Sequence, residues 1–234
     1  MSHLNNPARF LLLAGGAEFS GEMAEVDLRA ISLAGGFEAP ICILPTAAAP
    51  DNNHARAGMN GVRWFQSLGA KQVSVIHVID KASANDPSLA QTLRSARLLY
   101  LLGGFPEYLG ATLQGSLAWK AALDASANGA VLAGSSAGAM VLCEHYYDPY
   151  VKKLLPGLNL MPGCCVVPHY KTFGKEWAGI LLKLLPDTIL VGIDEGTGMI
   201  SEADGWQIYG KGEVTLYRPG GKIEVPPRDT RFNL

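Results

Sequence analysis

Histidine and cysteine are scarce in this chain, five and four among 234 residues. No C-x-x-C pair occurs, and no histidine clusters with cysteines or carboxylates at ligand spacing, so neither a metal nor a cofactor is expected. A phosphate-cradling G-x-x-x-x-G-K-[ST] loop is also missing. Cys42 and Cys143 lie inside apolar runs and Cys164 adjoins Cys165, a pattern of core thiols in a reducing cytoplasm. Positive charge is not in excess: 19 Lys and Arg against 21 Asp and Glu give a net charge of −2. No field is therefore available to attract a nucleic-acid backbone. The apolar runs are too short to span a membrane, and the opening MSHLNNPARF lacks the basic start and apolar stretch of a secretory signal. What is plentiful is apolar surface. With 48% hydrophobic residues, the chain can bury a core without disulfides or metal, which predicts one domain over residues 1–234 with flexible ends at 1–7 and 226–234.

Short apolar runs alternate with amphipathic segments. Phe10 to Leu13 ends in Ala14-Gly15-Gly16, and Glu22 to Leu33 places apolar residues at helical spacing before Gly35-Gly36 stops it. The pattern recurs with Ile41 to Leu44 before a helix at Ala55 to Leu68, Val73 to Ile79 before Pro87 to Ala96, and Leu98 to Leu102 before helices near Tyr108 to Leu113 or Trp119 to Ala125. Such alternation predicts an α/β fold with a doubly wound, mostly parallel sheet. Ala130 to Ala133 supplies a fifth strand, Cys164 to Val167 and Thr188 to Ile193 later ones, with a helix from about Lys175 to Leu184 between them. Beyond Gly198, glycine-separated β-rich segments suggest short antiparallel strands at the sheet edge.

The fifth strand runs into Gly134-Ser135-Ser136-Ala137-Gly138, a G-x-S-x-G match in which Ser136 would sit on a sharp strand-to-helix turn that only small neighbours allow. Composition alone yields such a match roughly 0.17 times per chain, so the apolar strand before it and the small-residue helix start after it carry the argument. The same letters also suit a glycine-rich turn without chemistry, or one cradling an anion. A serine nucleophile needs a base within hydrogen-bond reach. His3 lies near the start, His54 opens a helix, His77 lies in an apolar strand, and His145 should ride on the helix after Ser136, pointing away. His169, in Val167-Pro168-His169-Tyr170, follows a strand, where open α/β sheets place functional groups. It is the favoured base.

These segments, taken with Leu44-Pro45-Thr46-Ala47, Leu102-Gly103-Gly104-Phe105 and Gly192-Ile193-Asp194-Glu195-Gly196-Thr197, resemble the serine peptidases typified by dipeptidase E and cyanophycinase. That family looks like the class I glutamine amidotransferases with serine replacing the cysteine nucleophile. The resemblance spans most of the chain and implies Ser136 as nucleophile, His169 as base, and the backbone N–H groups of Gly104 and Ala137 as the oxyanion hole. It also implies an acid some twenty residues before the histidine. Asp148 fits that spacing first, with Glu144 and Glu195 as alternatives. Around the histidine, Val-Pro-His-Tyr is closer to the Asn-Pro-His-Phe of dipeptidase E than to the acidic and arginine-rich surroundings in cyanophycinase-like members. Only Lys171 and Lys175 are nearby candidates for a cation that would select an N-terminal aspartate. The expected activity is serine hydrolysis of a small peptide or amide through an acyl-enzyme, by a monomer or homodimer. The alternatives are a non-catalytic binding or regulatory domain on the same fold, or an esterase or amidotransferase-like acyl transferase.

Overall fold

The computed structural model describes residues 10–202, 205–228 and 230–234. Five parallel strands form its centre: β1 (Phe10–Ala14), β2 (Ile41–Leu44), β3 (Val73–Val75), β4 (Leu98–Leu101) and β5 (Val131–Ser135). Their spatial order is β1-β5-β4-β2-β3, so β5 lies between β1 and β4. These strands read as unbroken apolar runs because both faces are covered. Leu11, Leu13, Cys42, Leu44, Leu99, Leu101 and Leu132 pack on one face, against α3 (Pro87–Arg94), α4 (Pro106–Leu113) and α5 (Leu117–Ala127). Leu12, Ala14, Ile41, Ile43, Leu98, Tyr100 and Val131 pack on the other, against α1 (Ala24–Leu33) and α2 (His54–Ser67). Each fully buried leucine or isoleucine contributes about 1.5–3 kcal/mol relative to an exposed one. Local signals set the helix starts. Asp86 accepts from the N–H groups of Ser88 and Leu89 with Pro87 in the first turn, and Ser116 accepts from Trp119 N–H.

After β5 come α6 (Ala137–Val141), the hairpin β6 (His145–Asp148) and β7 (Lys153–Pro156), then β8 (Cys164–Val167), α7 (Lys175–Leu184), β9 (Ile189–Ile193), β10 (Thr197–Glu202), β11 (Gly205–Gly210), β12 (Val214–Tyr217) and β13 (Ile223–Glu224). The expected mostly parallel sheet is present, with β10 antiparallel on β1 and β11 on β10. The late strands do not all join it. Because β10 occupies the free edge of β1, β8 and β9 pair with each other and, through β12 and β13, build a second four-stranded sheet. His145 also departs from expectation, opening a strand instead of riding on a helix. The helix stops after five residues because Leu158 N–H donates to the carbonyl of Val141, and Leu160 N–H to that of Leu142, taking acceptors a longer helix would use.

The proposed flexible segment 1–7, and His3 with it, lies outside the described residues. At the other end, Phe232 exchanges backbone hydrogen bonds with Trp206, which ties the segment read as a frayed tail to the protein. All four cysteines are buried free thiols, and burial pushes the Cys165 thiol up to about 12. Among the described residues no helix is long and apolar enough to cross a membrane.

Candidate active site

The β5-to-α6 junction is a tight elbow. Ser136 adopts φ 50° and ψ −114°, a strained conformation for a residue with a side chain. Its N–H donates to the Ala14 carbonyl at 3.0 Å, pinning the turn to the end of β1. The flanking glycines permit the close approach: a Cβ on Gly138 would collide with the Leu101 carbonyl, and one on Gly134 would meet the backbone of Gly138. The steric reason read from G-x-S-x-G is thus present in the packing of β4, β5 and α6.

Ser136 Oγ lies 2.9 Å from His169 Nε2. His169 arrives two residues past the end of β8, in a left-handed conformation (φ 49°, ψ 39°) that opens a π-helical turn at Tyr170–Gly174. Its N–H donates to the Gly15 carbonyl at 2.8 Å, and its ring stacks on Phe173 at 4.8 Å. The other ring nitrogen, Nδ1, lies 2.6 Å from Glu195 Oε1. β8 and β9 explain that meeting: Val167 is in register with Gly192, so the residues just beyond each strand run side by side. A hydroxyl, an imidazole and a carboxylate in one chain can pass a proton from the hydroxyl to the ring while the carboxylate stabilises the imidazolium.

The other two candidate acids have different partners. Asp148, 1% exposed, accepts at Oδ2 from Glu107 N–H (3.0 Å) and at Oδ1 from the N–H groups of Tyr150 (2.8 Å) and Val151 (3.1 Å). It caps the β6–β7 turn and ties it to the first turn of α4. Glu144 accepts from Gly163 N–H at 2.6 Å and has His145, not His169, as its imidazole neighbour. Of the three acids, Glu195 is the one on His169, and the spacing that favoured Asp148 matches a turn cap.

Gly104 has φ 139°, open only to glycine, and a Cβ there would strike the Ala47 carbonyl. Ala137 is the first residue of α6, where an N–H has no acceptor within the helix. Both line a cleft of about 280 Å³ that also holds Ser136 and His169. A larger cleft of about 550 Å³ opens beyond Gly103–Gly104, lined by Glu18, Asp51, Arg63 and Trp64 among others. One residue lining this larger cleft carries no motif in the sequence. Glu18 accepts from Gly103 N–H at 3.1 Å and from Ser135 Oγ at 3.0 Å, joining the end of β4 to the residue before the elbow serine. Its one sequence signal is its place just after Gly15-Gly16. Among the described residues no three His, Cys, Asp or Glu side chains could together hold a metal ion.

Comparison with known proteins identifies the family. Residues 11–209 match the model of peptidase family S51. The cyanophycinase of Trichormus variabilis is 28% identical over 223 residues, covering 89% of this chain and 73% of that protein. The cyanophycinase of Thermosynechococcus vestitus is 27% identical over 244 residues, covering 99% and 72%. Among solved structures, a peptidase from an acI-B1 Actinobacterium superposes with a TM-score of 0.86 at 28% identity, covering 96% of each chain. A protein provisionally assigned as peptidase E from Listeria monocytogenes shares the fold, with a TM-score of 0.63 at 19% identity over 87% of this chain and 99% of that one. This chain belongs to peptidase family S51 and is a serine-type peptidase.

Proposed function

We propose that this protein cleaves a peptide or small amide through an acyl-enzyme on Ser136. His169 acts as base and then acid, Glu195 holds the imidazole, and the N–H groups of Gly104 and Ala137 receive the oxyanion. The observation that carries this is the unbroken chain from Ser136 Oγ through His169 to Glu195, at 2.9 and 2.6 Å.

In the first half, His169 Nε2 takes the Ser136 proton as Oγ bonds to the substrate carbonyl carbon. The carbonyl oxygen gains a negative charge, which the two N–H donors stabilise more than they stabilise the neutral carbonyl. The tetrahedral species then breaks its C–N bond, and the proton on Nε2 passes to the departing nitrogen. In the second half, His169 takes a proton from water, whose oxygen attacks the ester. Collapse of this second tetrahedral species returns that proton to Ser136 Oγ and releases the acid. Glu195 faces the imidazolium in both halves and exchanges no proton with substrate.

The kinetic test is a pair of variants and their combination. Ser136→Ala and His169→Ala should each lower peptide or activated-ester hydrolysis by several orders of magnitude, and the double variant should lose little more, since the two residues act as one unit. Full activity in Ser136→Ala would remove the proposal.

A further inference from the structure

The cleft at Ser136 is lined by Pro106, Met140, Tyr150, Phe173 and Trp177 beside the reacting groups, and no Lys, Arg, Asp or Glu is among its described lining residues. The two cations that could have selected an aspartyl substrate are elsewhere. Lys171 is held by Glu213 at 2.8 Å and Asp194 at 3.0 Å, while Lys175 is exposed and outside the lining. The aromatic groups fall into two clusters. His169 stacks on Phe173, Phe173 lies 5.2 Å from Trp177, and Tyr150, also in the lining, is stacked by Phe105 at 4.8 Å. Phe173 and Tyr150 are nevertheless 40% and 63% exposed. Large apolar groups left open beside a nucleophile gain contact area when a substrate covers them. A carboxylate or guanidinium seated there would lose water and find no opposite charge to replace it.

We infer that this cleft takes an aromatic or large aliphatic side chain flanking the scissile bond, so that the substrates are peptides apolar at that position and not aspartyl or arginyl ones. This rests on Ser136 being the nucleophile. Charge enters on the far side of Gly103–Gly104, where Glu18, Asp51 and Arg63 line the larger cleft.

The experiment is kcat/KM on a matched peptide set that varies the residues on both sides of the cleaved bond among Phe, Leu, Ala, Asp and Arg. A fluorophosphonate titration of Ser136 accompanies it. Phe or Leu at one position should exceed Ala by about ten-fold or more, as expected of a few added carbons in an apolar pocket, and should exceed Asp and Arg by about a hundred-fold. Trp177→Ala should reduce the Phe-to-Ala ratio about ten-fold. Tyr150→Ala, on the exposed rim, does the same service if the tryptophan variant does not fold. Preference for Asp or Arg with Ser136 labelled would overturn the apolar specificity and leave the nucleophile standing. No labelling and no cleavage of any peptide would overturn the nucleophile, and the specificity with it.

Discussion

Replacing Glu195 by glutamine keeps the side-chain length and removes the charge that faces His169 Nδ1 at 2.6 Å. Two unit charges about 4 Å apart interact by about 1 kcal/mol in water and about 4 kcal/mol in surroundings of effective dielectric 20. Here the carboxylate side chain is 42% exposed and the imidazole 19%, so solvent screens the pair and about 2 kcal/mol is the appropriate scale. That corresponds to about thirty-fold in kcat. An amide can also turn its NH₂ toward the ring and favour the tautomer with the proton on the wrong nitrogen. The combined fall should reach about 10²–10³-fold in kcat, with little change in thermal stability because Glu195 is half exposed.

Asp148→Asn should behave in the opposite way. Its carboxylate accepts three backbone N–H groups in a buried position, and an amide cannot accept all three. The expected cost is about 1–3 kcal/mol of stability. Tyr150 moves with the turn, so KM should rise while kcat changes by about three-fold or less. Steady-state kinetics and thermal melts on both variants decide. A silent Glu195→Gln beside an Asp148→Asn that lowers kcat a hundred-fold would refute the geometric assignment and return the acid role to Asp148.

Two further predictions concern the carboxyl groups of Glu18 and Asp27. Glu18→Ala releases Gly103 and Ser135 together and should lower kcat about ten-fold with a smaller effect on KM. Glu18→Gln, which keeps one acceptor, should recover part of the loss, and equal kcat and KM effects from both variants would point to general misfolding. Burial pushes the Asp27 carboxyl from 3.8 up to about 7, against the pull of the Trp64 indole hydrogen bond, and the charge of Glu18 adds to the rise. A raised carboxylate pKa means the native state holds a proton that the unfolded chain gives up. Stability from this group is therefore present below about pH 4 and declines as pH rises toward about 7, by about 4 kcal/mol at most. Asp27→Asn lacks that decline, so urea unfolding between pH 5 and 8 should show the variant gaining on the wild type up to pH 7. A pH-independent gap between the two would contradict the shift.

The elbow and His169 are legible in the sequence because their signals are local: small residues two places either side of Ser136, and a histidine just past an apolar strand. The acid is harder to find. Where a carboxylate points depends on the β8–β9 register, which brings residues 25 positions apart, Val167 and Gly192, into line. Asp148 satisfies the expected spacing, yet the turn that it caps claims Oδ1 and the Glu107 N–H at the start of α4 claims Oδ2. The short α6 and the second sheet were hidden for the same reason. Each is decided by a distant partner, the 158–160 loop in one case and β10 at the edge of β1 in the other. Glu18 has no motif of its own, and only the convergence of two strand ends gives it partners.

Covalent labelling tests the central claim most directly. Wild-type protein treated with a fluorophosphonate probe and mapped by mass spectrometry should carry one adduct, on Ser136. Labelling should be lost in Ser136→Ala and slowed by at least about a hundred-fold in His169→Ala. An active wild-type protein that carries no adduct on Ser136, or carries it on another residue, would contradict the account.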